Sequence, residues 1–120
     1  MQLQSVLDLV DREMLRIGDE KLTKRIRQLL VTPYPVVREW DYNPPDSRFT
    51  CWTVLEHTPS NTAVAYCAEG FGPSCPWGVV AFSGPVMNIG MDDHWFTTLE
   101  AAVRVSVARD LPSPAGYELD

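Results

Sequence analysis

A stretch rich in glycine, proline and aromatic residues, 69–78, constrains the fold more than any other feature of the chain. It reads Glu-Gly-Phe-Gly-Pro-Ser-Cys-Pro-Trp-Gly and lies between two segments of strand-like composition. It can be neither a regular helix nor a central strand, because proline lacks the amide donor and glycine loses much backbone entropy on ordering. We predict an irregular loop whose path is anchored by Phe71 and Trp77.

Length and composition predict a single domain. The chain has 120 residues, 45% of them hydrophobic and 22% charged, which suffices for one core but not for two. We predict that residues 1–112 form this domain and that residues 113–120 form a flexible acidic tail. No segment resembles a signal peptide or reaches the roughly 20 apolar residues of a membrane span. The three cysteines are an odd number, so we expect a cytoplasmic protein with free thiols and no membrane contact.

Apolar periodicity predicts three helices. The first runs from Leu3 to Ile17, and the second from about Glu20 to Val31, with Asp19 suited to cap its start. The third begins at Thr97-Thr98-Leu99-Glu100, which matches a capping box with Thr97 as the cap.

Between the helices, β-forming segments alternate with turn residues. The predicted strands cover residues 36–42, 49–57, 62–68, 78–82 and, as a fifth candidate, 86–91. Short turns between strands indicate antiparallel pairing. The expected fold class is therefore α+β, a two-layer sandwich. It has a mainly antiparallel sheet of four to five strands, two N-terminal helices and one C-terminal helix.

The turn at residues 58–61 sets a register for the hairpin that contains two of the cysteines. If His57 pairs with Thr62, regular continuation of the ladder places Trp52 opposite Cys67. Cys51 and Cys67 then point to opposite faces of the sheet, and no disulfide is expected between them. A slip of one residue would reverse this conclusion.

The net charge of −6 is unevenly distributed. Residues 1–38 contain seven basic and five acidic residues, whereas residues 39–120 contain three basic and eleven acidic residues. An acidic body argues against direct binding of nucleic acid, which requires a basic surface. It suits a basic protein partner, although acidity that only maintains solubility is the alternative.

No catalytic or metal-binding motif stands out. Cys75 with His94, oriented by Asp92 or Asp93, has the residue types of a nucleophile and its base, but the spacing does not show that they meet. No C-x-x-C, H-x-H or H-E-x-x-H pattern occurs, and Gly70-Phe71-Gly72 lacks the remainder of a dinucleotide-binding motif. We predict a protein that is not an enzyme, with no cofactor and no metal.

The loops combine aromatic and acidic residues, which is typical of a binding surface. The candidate partner-binding residues are Glu69, Phe71, Trp77, Asp92, Asp93, His94 and Trp95. The alternative is that Phe71 and Trp77 turn inward and close one end of the core.

The sequence therefore favours a small acidic inhibitor or antagonist of a basic partner, of the kind represented by immunity proteins and phage anti-defence proteins. A second hypothesis is a small-molecule binder or sensor with a pocket beneath the loop, lined by Trp52, Phe71 and Trp77. A third is a cysteine-dependent enzyme that uses Cys75 and His94. A homodimer contact through the aromatic residues also remains open.

Overall fold

The computed structural model describes residues 2–40, 47–82, 89 and 94–108. The helices are α1 (Leu3–Arg16), α2 (Glu20–Leu29) and α3 (Leu99–Ala108), and the strands are β1 (Leu30–Trp40), β2 (Ser47–His57), β3 (Thr62–Tyr66), β4 (Trp77–Ala81) and β5 (Trp95–Phe96). This arrangement confirms the predicted α+β class. The tail 113–120 lies outside the described residues, as does all of the candidate strand 86–91 except Ile89.

The strands form one antiparallel sheet in the order β1-β2-β3-β4-β5. β1 and β2 have 11 residues each, and only the second half of β2 pairs with β3. A short 3₁₀ turn, Thr58–Ser60, joins β2 to β3 and ends at Asn61, whose φ is 57°. Asparagine adopts this left-handed conformation more readily than most residues. Because only the second half of β2 pairs with β3, the other half of the β1–β2 hairpin extends past the rest of the sheet.

β1 begins earlier than the sequence predicts. The second helix was expected to reach Val31, but α2 ends at Leu29 and the strand starts at Leu30, so that β1 includes Pro33 and Pro35. β1 is an edge strand, where the missing proline amide costs no hydrogen bond of the sheet ladder. Two prolines therefore do not prevent a strand at this edge of the sheet.

The three helices cover one face of the sheet, which we call the helix-covered face. α2 packs on β2, α3 packs on β3 and β4, and α1 packs on α3 and β1. The core between the layers comprises Val6, Val10, Ile17, Leu22, Ile26, Val54, Leu55, Val64, Trp77, Val79, Leu99, Ala102 and Val103. Within the described ranges, no helix is both long and apolar enough to cross a membrane.

Helix α2 begins as predicted. The carboxylate of Asp19 accepts a hydrogen bond of 3.1 Å from the backbone N–H of Leu22. The same hydrogen bond is the main reason that the pKa of Asp19 lies below its usual value. Asp19 thus occupies one of the donors that a helix leaves unpaired at its start.

Helix α3 begins one residue later than the predicted capping box. Its cap is Thr98, whose hydroxyl accepts a hydrogen bond of 3.1 Å from the Ala101 N–H. Thr97 is exposed, and the Glu100 carboxylate accepts from Arg104 at 3.0 Å. The assignment of Thr97 as the cap was therefore wrong.

A carboxylate from another helix completes the start of α3. Glu13 of α1 is buried, and its Oε1 accepts a hydrogen bond of 2.9 Å from the Leu99 N–H. Its other oxygen contacts Arg16 at 3.3 Å. An acceptor far away in sequence thus satisfies a backbone donor that the capping box alone does not.

A β-bulge at Val54 changes the register of the hairpin formed by β2 and β3. The pairs near the turn follow the predicted register, but beyond Val54 the ladder shifts by one residue and Trp52 faces Tyr66. The predicted pairing of Trp52 with Cys67 was therefore wrong. Because the side-chain alternation shifts with the register, Cys51 and Cys67 now point to the same face.

Candidate functional site

The face of the sheet opposite the helices carries a second core. It contains Cys51, Ala63, Ala65, Cys67, Val80, Ile89 and Trp95, with Phe49, Phe71, Cys75 and Phe82 packed against it. Phe71 and Cys75 belong to the glycine- and proline-rich loop, so this loop lies over the sheet as an anchored cover. We call this the loop-covered face.

Trp95 fixes the path of the chain over this second core. Its indole N–H donates a hydrogen bond of 2.7 Å to the carbonyl of Ile89, and the Ile89 N–H donates one of 3.0 Å to the carbonyl of Glu39. The indole lies directly on Gly78, where a Cβ atom would be 2.4 Å from the ring. These contacts link β5 to β1 through Ile89.

Two of the predicted partner-binding residues are core residues. Trp77 is 2% exposed in the helix-covered core and Trp95 is 3% exposed in the loop-covered core. Their prediction as partner contacts is therefore corrected. Trp95 pairs with Gly78, the position next to Trp77, and side chains at successive positions point to opposite faces, both of which are buried here. For Trp77 the structure shows the inward alternative.

The other candidates have different environments. Phe71 is half-buried, with its ring centroid 5.9 Å from that of Trp95, whereas Glu69 is exposed. His94 is half-buried immediately before β5, and Asp92 and Asp93 lie outside the described residues. The five candidates that the structure describes therefore do not form one surface.

An aromatic row crosses four strands on the helix-covered face. Trp52 of β2 pairs with Tyr66 of β3, Tyr66 with Trp77 of β4, and Trp77 with Phe96 of β5. The rings of Tyr66 and Trp77 meet edge to face, with centroids 4.8 Å apart. Trp77 is buried, whereas Trp52 and Tyr66 are half-buried, so the row leads from the core to the surface.

At the outer end of this row the sheet is not fully covered. A depression of about 270 Å³ is lined by Thr50, Trp52, Tyr66, Cys67, Ala68 and Glu69. Val37, which pairs with Thr50 across the hairpin, is 60% exposed. We call Val37, Thr50, Trp52, Tyr66 and Glu69 the outer patch. Neither Phe71 nor Trp77 lines this depression, in contrast to the predicted pocket.

A pair of thiols that the sequence analysis assigned to opposite faces is brought together in the loop-covered core. Trp52 pairs with Tyr66, so the next position of the ladder sets Cys51 opposite Cys67. The Cys67 N–H donates to the Pro76 carbonyl at 2.8 Å, away from β2. Cys67 therefore occupies a non-hydrogen-bonded site relative to Cys51, where Cα atoms are about 4.5 Å apart. Both cysteines are free and buried.

The two thiols have opposite protonation preferences. A hydrogen bond from Cys51, followed by smaller contributions from the backbone N–H groups of Glu69 and Gly70, lowers the pKa of Cys67 to about 7 despite burial. The same interaction with Cys67, together with burial, raises the pKa of Cys51. Cys67 is thus the member of the pair that ionises first.

A buried cation lies beside the thiol pair. Arg38 of β1 is 1% exposed, and within the described part of the chain its Nε and Nη1 atoms have no hydrogen-bond partner. Burial lowers the pKa of Arg38, while the thiol of Cys51 and the phenol of Tyr34 act in the opposite direction. A buried charge is costly unless an anion compensates it, and an ionised cysteine is such an anion.

The third hypothesis, a cysteine-dependent enzyme that uses Cys75 and His94, has less structural support. Cys75 is half-buried in the loop, where its N–H donates a hydrogen bond of 3.2 Å to the Gly72 carbonyl. Its acidic partners in the hypothesis, Asp92 and Asp93, are outside the described residues. Among the residues that are described, no group of three or more His, Cys, Asp or Glu side chains is arranged to hold a metal ion.

No known protein family, no curated protein and no solved structure matches this chain. The function is therefore argued from the outer patch and the thiol pair.

Proposed function

We propose that this is a small acidic binding protein of the cytoplasm that inhibits or antagonises a basic partner protein through its outer patch. The observation that carries the proposal is the exposure of Val37 and Thr50 on a sheet face that is elsewhere covered by helices. Val37 is an exposed apolar side chain beside the half-buried rings of Trp52 and Tyr66, an arrangement that is typical of interaction sites.

The construction of the patch supports this role. Trp52 and Tyr66 are held by the aromatic row behind them, so little side-chain entropy is lost when a partner covers them. Tyrosine and tryptophan are enriched among the residues that dominate binding energy. Glu69 adds an exposed acid beside this apolar centre, which resembles the polar rim of an interface.

The charge of the chain supports the chemistry of the partner. Residues 39–120, which contribute β2 to β5 and most of the patch, contain eleven acidic and three basic residues. Complementary charge accelerates encounter and disfavours acidic competitors. A basic protein surface with an apolar centre is the proposed occupant.

The test begins with affinity capture from lysate of the source cell and continues with the purified captured protein. We expect Val37→Arg to weaken binding about tenfold or more, because it places a cation and a longer side chain in the patch. Leu15→Arg is the matched control, since Leu15 is also apolar and is 86% exposed, but lies on α1 outside the patch. Equal affinity of the two variants, or association that is insensitive to salt, would contradict the proposal.

The depression favours a second candidate, a small-molecule binder or sensor. Its volume of about 270 Å³ and its two aromatic walls, Trp52 and Tyr66, suit a small planar or apolar ligand. This function predicts that a ligand raises the thermal stability of the wild-type protein and not that of Trp52→Ala. A second copy of the chain on the patch would instead make the sedimentation coefficient depend on concentration.

A further inference from the structure

We propose that Cys67 and Cys51 form a redox-active dithiol that reduces the disulfide of a low-molecular-weight thiol and closes into a cross-strand disulfide. The site is distinct from the proposed protein interface in its chemistry. Its reactivity does not depend on whether a protein partner exists.

The backbone already has the geometry of a disulfide. A non-hydrogen-bonded antiparallel pair holds its Cα atoms about 4.5 Å apart, within the roughly 4.4–6.8 Å that disulfides span. The bulge at Val54 creates this pair, since without it the two cysteines would point to opposite faces. Oxidation therefore requires rotation of two side chains and no movement of a strand.

The surroundings distinguish the roles of the two thiols. Both thiols belong to the loop-covered core, where Cys67 is 3% exposed and Cys51 is fully buried. Interactions with the backbone N–H groups of Glu69 and Gly70 contribute to the lowered pKa of Cys67, because hydrogen bonds of this kind stabilise a thiolate. Cys67 is thus the attacking residue and Cys51 the resolving residue.

Arg38 supports the second half of the reaction. Its buried guanidinium interacts electrostatically with Cys51, and within the described residues its Nε and Nη1 make no hydrogen bond. A thiolate that forms at Cys51 during resolution would be stabilised by this charge. The Cys51 S–H also lies at a long 3.9 Å from the Phe49 carbonyl.

The reaction balances as a thiol–disulfide exchange. The Cys67 thiolate, whose proton has gone to water, attacks one sulfur of the substrate RS–SR′. The substrate S–S bond breaks and R′S⁻ leaves, to be protonated by water. Cys51 then gives its proton to water and attacks the Cys67 sulfur, and RS⁻ leaves with a proton taken from water. Two cysteine thiols become one disulfide, and the substrate becomes two thiols.

The experiment treats the reduced, folded full-length chain with oxidised glutathione, quenches it with acid and maps the cysteines by alkylation and mass spectrometry. In the wild type we expect a Cys51–Cys67 disulfide. In Cys51→Ser we expect glutathione to remain attached to Cys67, because no resolving thiol is present.

Cys75→Ser is the matched control. It removes the third thiol, so that a loss of two hydrogen atoms from its mass can arise only from the Cys51–Cys67 disulfide. We expect this variant to oxidise like the wild type. The proposal is overturned if Cys75→Ser stays fully reduced, or if glutathione in the wild type attaches only to Cys75. These outcomes do not require that Cys51→Ser folds.

Discussion

Gly78 lies beneath the indole of Trp95, at the point where β4 and β5 pair. A Cβ atom there would be 2.4 Å from the ring, and the ring is buried and fixed by its bond to Ile89. We expect Gly78→Ala to lower the free energy of unfolding by about 1–3 kcal/mol, as overpacking of a filled core does. Urea denaturation measures this difference.

The control for this substitution is Gly18→Ala. Gly18 has no atom within 4 Å of its potential Cβ position, so its substitution should change the free energy of unfolding by no more than about 0.5 kcal/mol. If both variants were equally stable, the indole would not be fixed on Gly78.

The environment of Cys67 makes a pH-dependent prediction. Its pKa of about 7 lies below that of an unfolded thiol, about 8.5. In this interval the folded state binds fewer protons than the unfolded state, so Cys67 contributes stability that rises with pH and is lost as pH falls through 7. Within the described residues, the charged or titratable groups that interact with it include Cys51, Glu69, Tyr66 and, through Cys51, Arg38.

The measurement is the rate at which iodoacetamide alkylates Cys67 in the Cys75→Ser variant. We expect the rate to rise through pH 7 and then to level off, because the thiolate is the nucleophile. Adding Cys51→Ala removes the hydrogen-bond donor and should move this rise to higher pH. A rise centred near the ordinary thiol value in both variants would contradict the interpretation.

For single residues, the sequence indicated which side chains anchor a loop better than it indicated the face of the sheet to which a side chain points. The loop at 69–78 required aromatic anchors, and Phe71 packs inward as one of them. Whether Trp77 and Trp95 faced a partner or the core depended on which strands paired, because each lies on a strand with two buried faces. Composition alone could not decide between these alternatives.

The start of α3 shows how one element depends on another. Thr98 caps the helix and Glu13 of α1 accepts the Leu99 N–H, so tertiary contact replaces half of the predicted capping box. We expect Thr98→Ala to cost about 1 kcal/mol, the usual value of a cap. Thr97→Ala, at an exposed neighbouring threonine, should stay within about 0.5 kcal/mol. Thermal or urea unfolding distinguishes the two variants. If Thr97→Ala cost more stability than Thr98→Ala, Thr97 would be the cap, as the sequence predicts.

Helices and turns were predictable as elements because their signals are local. Periodic apolar residues, Asp19 and the turn at 58–61 each gave the correct type of structure. The bulge at Val54 and the passage of β1 through Pro33 and Pro35 were not predictable. Both depend on which strand lies next to the residue, and on whether that strand is at an edge. The thiol pair was missed for the same reason, because the extra residue of the bulge at Val54 places Cys51 and Cys67 on the same face.

The whole molecule has two cores on opposite faces of one sheet. Helices cover one face, as the pattern of elements predicted, and the glycine- and proline-rich loop covers much of the other. The long β1–β2 hairpin extends past the rest of the sheet, and the outer patch is exposed beside the depression. The candidate binding surface thus arises from a mismatch in length between strands, which no local motif records.

The proposed binding function predicts that charge and patch affect different steps of association. The acidic body acts at long range, so added salt should lower the association rate constant and change dissociation little. Val37→Arg alters contacts made only in the complex, so it should mainly raise the dissociation rate constant. Surface plasmon resonance with the captured partner, at low and high salt, separates the two effects, with Leu15→Arg as reference. If salt acted mainly on dissociation, the contact would depend on charge pairs buried in the interface, and the apolar outer patch would not be its centre.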